Sequence, residues 1–275
     1  MTERGSAETP AIGWMLVDSV ALWLRNQAAF WAAAFVVAVL TVSIEFVLAW
    51  DNRFHGLREH WGWDLLFSLV YAFFLDRWMR IALLEDASPC DEVDALRAAL
   101  IRPRFLAVAG GMVVVALGLS FAPHFYVYDW LKDIGAAESV AYVLGSVLPW
   151  LPHLVIWSMA LAFIALLLPA ASAGARMSID EAWDTGKPAR PGLFAMILVL
   201  ALLSLTMLTL CAWGVQHLPR KPWAPSLLAG ASRLFDCVLL ALGGGVLAQV
   251  FRQLADWEPP EPDDRPYRGM RPRKS

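Results

Sequence analysis

The sequence predicts an all-α, polytopic membrane helix bundle with six transmembrane helices arranged as three hairpins, each preceded by a cytoplasmic interfacial helix. The prediction rests on a very apolar composition, six apolar runs and an uneven distribution of Lys and Arg. Of 275 residues, 59% are hydrophobic and 17% are charged, and the mean hydropathy is +0.54. Because a soluble domain is about half apolar and about a quarter charged, the apolar excess indicates a bilayer.

Six runs are long enough to cross about 30 Å of hydrocarbon at about 1.5 Å per residue. They cover residues 28–49, 64–84, 105–122, 145–169, 193–215 and 227–250. The transmembrane domain is thus predicted over 28–250, with a cytoplasmic segment at 1–27 and a Pro- and Arg-rich tail at 251–275 that we expect to be disordered. Since the first run is long enough to span, we expect it to remain as an anchor and not as a cleaved signal peptide.

A short amphipathic segment precedes each odd-numbered run. Residues 12–26 place apolar side chains on one helix face before the first run. Ser88 followed by Pro89 signals a helix start before the third run. Ser178 and Glu181 have the spacing of a capping box before the fifth. The repeated unit has two open explanations, a true triplication and the periodicity that positive-inside anchoring imposes on any such protein.

Lys and Arg in the flanking segments predict the orientation, because cytoplasmic flanks carry the excess of positive residues. One side holds 14 of them: Arg4, Arg25, Arg97, Arg102, Arg104, Arg176, Lys187, Arg190, Arg252, Arg265, Arg268, Arg271, Arg273 and Lys274. The other side holds 5: Arg53, Arg58, Lys132, Arg220 and Lys221. We therefore expect a multi-pass protein of the bacterial inner membrane with both termini in the cytoplasm.

Two stretches resemble a known group of proteins. Run two ends in Arg77-Trp78-Met79-Arg80-Ile81-Ala82-Leu83-Leu84-Glu85, and run four ends in Leu166-Leu167-Leu168-Pro169, followed by Ser178 and Glu181-Ala182-Trp183. These stretches resemble a broad group of bacterial six-helix integral membrane proteins, which includes the membrane domain fused to some glycerophosphodiester phosphodiesterases. The resemblance covers most of the chain and implies the six-helix topology. It implies no phosphodiesterase activity here, because the sequence shows no soluble phosphodiesterase domain.

Charged residues inside the runs are the candidate sites, because an ionisable group in hydrocarbon costs about 3 kcal/mol or more unless it is paired or wetted. In the inner third of run two, Asp76 and Arg80 are four residues apart and Arg77 is adjacent. This spacing predicts an i,i+4 ion pair. Both arginines are also expected to extend toward cytoplasmic lipid phosphates.

A second candidate cluster lies in the outer half. Glu45 of run one and Arg233 of run six are predicted at depths that differ by about 2 Å. Asp236 follows Arg233 on the same helix face, and His153 follows two prolines in run four. These four residues could line a polar pocket open to the outer side, or could form a buried ion-pair network that fixes the helix register.

The remaining polar and small residues predict no cofactor. The five histidines all fall on the outer side without a recognised metal-ligand spacing, so we expect no metal site: His55, His60, His124, His153 and His217. No outer loop contains a cysteine, so no disulfide is implied by Cys90, Cys211 or Cys237. Gly110–Gly111 and Gly243–Gly245 are expected to allow close helix packing.

The sequence contains no phosphate-binding glycine loop, nucleophile elbow, zinc-protease helix or nucleic-acid motif. We therefore expect a non-enzymatic scaffold or accessory subunit whose partners are membrane lipids and other membrane proteins, without nucleic acid. The alternative is a small-solute or lipid transporter that uses the outer-half pocket. Broken helices are typical of transporters, and in this sequence Pro149 and Pro152 predict such a break in run four.

Overall fold

The structure is a computed structural model. It describes the backbone of residues 11–50, 61–84, 103–120, 133–135, 151–217 and 223–257, with side chains except at 45–50, 61–67, 84, 112–120, 153, 212–213, 215–217 and 223–225. The principal elements of these ranges are all α-helices: α1 (Ile12–Arg25), α2 (Gln27–Trp50), α3 (Trp61–Leu84), α4 (Pro103–Ser120), α5 (Leu151–Ile164), α6 (Leu167–Ala173), α7 (Ile179–Gly186), α8 (Arg190–His217) and α9 (Trp223–Leu254). The predicted all-α class is confirmed, whereas the helix start at Ser88–Pro89 and the tail after residue 257 lie outside the described residues.

Within the part of the chain that the structure describes, three helices are long and apolar enough to cross a membrane. The qualifying segments are Gln27–Ile44 in α2, Arg190–Cys211 in α8 and Ser226–Leu254 in α9. A fourth segment qualifies if α5 and α6 form one bent span. These helices indicate a membrane protein of the helical-bundle type.

Helix α9 is the centre of the bundle, because α1, α2, α3 and α8 all pack against it. The glycine triplet Gly243–Gly245 permits close approach on three sides, since successive residues point about 100° apart around a helix. A Cβ on each glycine in turn would lie 3.1 Å from Leu200 of α8, 2.9 Å from Leu75 of α3 and 2.7 Å from Ser19 of α1. Close packing at the triplet is confirmed. It is not found at Gly110–Gly111, where no described atom lies within 4 Å of such a Cβ.

An aromatic cluster fills the space between α1, α2 and α3. Phe30 is fully buried, and its ring centroid lies 5.7 Å from those of Trp23 and Phe74, 5.8 Å from that of Trp78 and 5.0 Å from that of Trp31. All four contacts are edge-to-face, the arrangement that the aromatic quadrupole favours. The cluster fixes the first three helices to one another at the inner end of the bundle.

The span formed by α5 and α6 is bent by 45°. The bend falls at Ala165–Leu166, four residues before Pro169, because a proline ring clashes with the carbonyl four residues earlier and removes one helical hydrogen bond. The sequence predicts a break in this run at Pro149 and Pro152, and the described bend instead precedes Pro169. Pro152 lies in the first turn of α5, where proline is tolerated, and Pro149 lies outside the described residues. After the bend, α6 is buried against α3, α4 and α9.

Helix α1 forms as the sequence predicts and packs against α9. Its buried side is formed by Ser19 and Leu22, and a second, exposed apolar side carries Val17, Val20 and Leu24. The helix ends at Asn26, whose backbone N–H donates to carbonyls of the last turn, and α2 starts at the next residue. The tight turn holds α1 against the bundle.

Helix α7 begins with the predicted capping box. The Ser178 hydroxyl accepts from the Glu181 N–H across 3.1 Å, and the Glu181 carboxylate accepts from the Ser178 N–H across 2.7 Å. The latter bond is the main reason that the pKa of Glu181 is lowered. Trp183 stacks on Phe163 of α5 at 4.5 Å, and the Arg190 guanidinium lies 4.1 Å from the Trp183 ring centroid. These contacts attach α7 to α5 and α8.

Candidate functional site

The first charge cluster is a buried ion pair on α3. Asp76 is 2% exposed, and Arg80, one turn later, donates to its Oδ2. Ser172 of α6 donates from its hydroxyl to Oδ1 across 2.7 Å. The i,i+4 ion pair predicted from the sequence is confirmed. Because a guanidinium and a hydroxyl both bond the carboxylate, this buried negative charge is compensated within the protein.

The two arginines beside Asp76 point to different surroundings. The Arg80 side chain is only 12% exposed, because its guanidinium turns inward to the carboxylate. Arg77 is exposed. Of the two arginines expected at lipid phosphates, Arg77 is therefore the one that lies on the surface.

Trp78 fixes this part of α3 to the central helix. Its indole N–H donates to the carbonyl oxygen of Ala241 in α9 across 2.7 Å, and the side chain is 2% exposed. An indole buried among apolar side chains needs such an acceptor. This bond sets the register between α3 and α9, and so the separation between the two charge clusters.

The second charge cluster joins α3, α8 and α9 through Asp236. Ser204 of α8 donates to Asp236 Oδ1 across 2.6 Å, and Tyr71 of α3 donates to Oδ2 across 3.1 Å. Arg233 lies one turn earlier on α9, with Nη1 3.5 Å from Oδ2 and 3.5 Å from the Tyr71 hydroxyl oxygen. The carboxylate therefore has three partners from three helices, and the positive charge of Arg233 balances its own.

The depth of Asp236 makes this cluster the stronger site candidate. Along α9 it lies about 20 Å from the N-terminal end and about 27 Å from the C-terminal end, at about 1.5 Å per residue. The Asp236 side chain is 13% exposed and that of Arg233 is 31% exposed. An ionisable pair near the middle of a span is retained at a free-energy cost, so it has a structural or a functional role.

Glu45 and His153 were expected beside Arg233 and Asp236, and the structure describes only their backbones. In the pairing of α2 with α9, Gly230 faces Val42, since a Cβ on the glycine would lie 2.5 Å from Val42 Cγ2. The helices run in opposite directions, so Glu45 lies about 9 Å along the axis from Arg233. This backbone offset is larger than the depth difference of about 2 Å that the sequence predicts.

His153 lies in α5, which packs against α8, α7 and α4. The backbone at His153 thus belongs to the side of the bundle formed by α5 and α8. Of the other histidines, His217 ends α8 with its side chain undescribed, and the rest lie outside the described residues. Of the four residues proposed for the outer pocket, the described side chains bring together Arg233 and Asp236.

Three hydroxyl residues that complete the clusters were missed from the sequence: Tyr71, Ser172 and Ser204. Tyr71 and Ser204 lie in apolar runs and Ser172 follows run four by three residues, and a lone hydroxyl gives no charge signal in such a sequence. A partial signal existed for Tyr71, which lies five residues before Asp76 in a run with several polar residues. Nothing local marks Ser172 or Ser204, because their partners are on other helices.

Two cavities bordered by described residues lie at the end of the bundle that contains α7 and the C-terminal turns of α9. One, of about 510 Å³, lies between α1 and the last turns of α9. The other, of about 530 Å³, lies between α4 and α6 and is lined by Arg104, Arg176 and Glu181 among others. Neither is lined by Asp76 or Asp236.

No group of three or more His, Cys, Asp or Glu residues that could hold a metal ion occurs within the described ranges. The described cysteines Cys211 and Cys237 are free thiols buried in the bundle. No protein-family model, curated protein or solved structure matches the chain. Its function is therefore argued from the geometry of the two clusters.

Proposed function

We propose that the chain is a six-span protein of the bacterial inner membrane, with both termini in the cytoplasm. The proposal is supported by the helical structure of all six predicted runs over most of their described residues and by the excess of Lys and Arg on one side. The implied topology agrees with the resemblance to the six-helix membrane domain. Reporter fusions test it: a phosphatase is active after residue 55 and inactive after residue 275, and the reverse pattern contradicts the orientation.

Within this topology, the function we propose is that of a non-enzymatic scaffold or accessory subunit of a membrane protein assembly. The supporting observation is the closure of the Asp236 cluster. The carboxylate oxygens of Asp236 accept hydrogen bonds from Ser204 and Tyr71 and form an ion pair with Arg233. Because these partners lie on three helices, the cluster is suited to hold the helices in register. A carboxylate that carries a solute or a proton needs an aqueous approach.

A small-solute or lipid transporter is the second candidate, and the bent span favours it. Transporters bind substrates beside broken helices near the membrane midplane. Here α6 follows the bend and contacts the ion pair on α3 through Ser172 and Asp76. This candidate uses the outer-half pocket at Arg233 and Asp236, and it requires that the contacts of Tyr71 and Ser204 with Asp236 open during a cycle.

Two measurements on the purified full chain distinguish these candidates. Extraction of native membranes in a mild detergent is expected to give an assembly with another membrane protein at fixed stoichiometry, which is unchanged by Asp236→Asn. Vesicles containing the protein are expected to show no proton flux above protein-free vesicles.

The matched control is Thr206→Val, which removes an exposed hydroxyl on α8 that bonds only within its own helix. Two results together contradict the scaffold proposal and support the transporter. The protein is then a monomer in native membranes, and it shows a proton flux that Asp236→Asn abolishes and Thr206→Val preserves.

A further inference from the structure

The cavity between α1 and α9 has features that neither charge cluster uses. It lies at the end of the bundle that the Lys and Arg distribution predicts to be cytoplasmic, and its volume is about 510 Å³. Three elements form it: α1, the inner end of α3, and the last turns of α9 with the residues that follow. Its polar lining residues are Asp18, Arg25, Gln249, Arg252, Gln253 and Trp257.

The lining is rich in hydrogen-bond donors and carries one net positive charge. The charged residues of the described lining are Arg25, Arg252 and Asp18. Arg25 is exposed and makes no ion pair or side-chain hydrogen bond within the described part of the chain. The indole N–H of Trp257 is buried and has no acceptor among the described residues. An anionic group with several oxygens matches this arrangement, because guanidinium and indole groups only donate.

An apolar surface adjoins the polar lining on α1. Asp18 and Arg25 lie on one side of the helix, two turns apart. The neighbouring strip carries Val17, Val20 and Leu24, which are 57%, 36% and 56% exposed. A ligand with an anionic head and apolar chains can therefore contact the arginines and the strip together. A soluble phosphate would use the arginines alone.

We infer that this cavity binds the phosphodiester headgroup of an anionic phospholipid of the inner leaflet. The phosphate oxygens accept from Arg25, Arg252 and the Trp257 indole, and the acyl chains lie along the exposed strip of α1. Basic pockets between helices at the cytoplasmic surface recognise lipid headgroups in this way. The site is separate from the Asp76 cluster and does not depend on the scaffold proposal.

Both arginines also lie in the last turn of their helices, where a positive charge interacts favourably with the helix dipole. A purely structural role predicts a loss of thermal stability in every lipid environment. The lipid-site inference predicts a loss of binding that is specific to anionic lipid. The two roles therefore differ in a measurable way.

The experiment uses the full chain in nanodiscs of phosphatidylcholine, titrated with phosphatidylglycerol, and native mass spectrometry counts the retained anionic lipid. Arg25→Gln and Arg252→Gln are each expected to weaken phosphatidylglycerol binding about fivefold, the effect of one arginine near a membrane surface. Trp257→Phe keeps an aromatic ring at this position but removes the indole N–H, and it is expected to weaken phosphatidylglycerol binding to a smaller extent. Arg25→Lys retains the charge and is expected to bind within about twofold of wild type.

The matched control is Lys187→Gln, which removes one exposed positive charge at the same end of the bundle, outside the cavity lining. Equal weakening by Lys187→Gln and Arg25→Gln, or unchanged binding in Arg25→Gln, Arg252→Gln and Trp257→Phe, overturns the inference. Inorganic phosphate provides the second arm. If it binds without lipid and excludes phosphatidylglycerol at equal concentration, the site serves a free anion and the lipid inference is wrong. Trp257→Phe and Arg25→Lys keep the test decisive if a charge-removing variant does not fold.

Discussion

Removing the carboxylate of Asp76 is expected to destabilise the bundle strongly, because it removes the buried acceptor that both Arg80 and Ser172 bond. The magnitude follows from burial: the carboxylate is 2% exposed and the Arg80 side chain 12%, so solvent screens the remaining charge little. Breaking one side of such a pair costs about 3 to 5 kcal/mol. Ser172→Ala removes only the hydroxyl bond to Asp76 and is expected to cost about 1 kcal/mol.

The assay is reversible unfolding in mixed detergent micelles, followed by intrinsic tryptophan fluorescence. Asp76→Ala should lower the free energy of unfolding by about 3 to 5 kcal/mol, whereas the double substitution of Asp76 and Arg80 by Leu should restore most of it, since an apolar pair replaces a buried ion pair at little cost. A change below about 0.5 kcal/mol in Asp76→Ala, or a double variant as unstable as the single one, refutes the structural role of this pair.

Two further predictions concern helix contacts. Gly245→Val places a Cβ 2.7 Å from Ser19 Oγ, so it should displace α1 and lower the thermal midpoint of unfolding in detergent. The control Gly111→Val places its Cβ where no described atom lies within 4 Å, so it should leave the midpoint unchanged. Equal midpoints of the two variants would contradict the packing of α1 against α9. The lowered pKa of Glu181 means that its bonds to Ser178 stabilise α7 fully above the unfolded-state pKa and lose this effect as pH falls through the folded pKa. The protection factors of the α7 amides, which correct the exchange rates for their intrinsic pH dependence, should therefore fall at acidic pH in wild type, and a Glu181→Gln variant with the same pH dependence would exclude this cause.

The sequence predicts the helices well because hydropathy and capping are local properties. The runs at 28–49, 193–215 and 227–250 coincide with α2, α8 and α9, which qualify as candidate spans. The capping box at Ser178 is read directly from two residues three positions apart. Each of these features requires no knowledge of which helices are neighbours.

Contacts between helices were predicted less well, because they depend on register. The i,i+4 pair of Asp76 and Arg80 lies on one helix and was found from spacing. The partners of Asp236 lie on α3 and α8, and the offset of Glu45 from Arg233 follows from how α2 meets Gly230 of α9. Hydropathy specifies that a helix spans the membrane but not its axial position against the next one.

The bend in α5 and α6 shows the same limit. Run four contains several prolines, and each could interrupt the helix by the same steric mechanism. Among the described residues, the proline that follows the bend is Pro169, whereas Pro152 lies in a first turn, where a proline leaves the helical bonds intact. The consequence for the site, burial of α6 beside Asp76, depends on tertiary packing that the proline alone does not specify.

The Asp236 cluster is expected to be closed to water, and the reactivity of the neighbouring thiol of Cys237 measures whether water reaches it. Cys237 is 0% exposed, so in a Cys90→Ser, Cys211→Ser background it should react with a membrane-impermeant methanethiosulfonate at least about a hundredfold more slowly than a cysteine introduced at exposed Asp184 of α7. Because reagent is supplied to both sides of the membrane, the comparison does not depend on topology. Reaction of Cys237 at a rate comparable to that of the Asp184→Cys variant would reveal an aqueous path to the cluster and contradict the account.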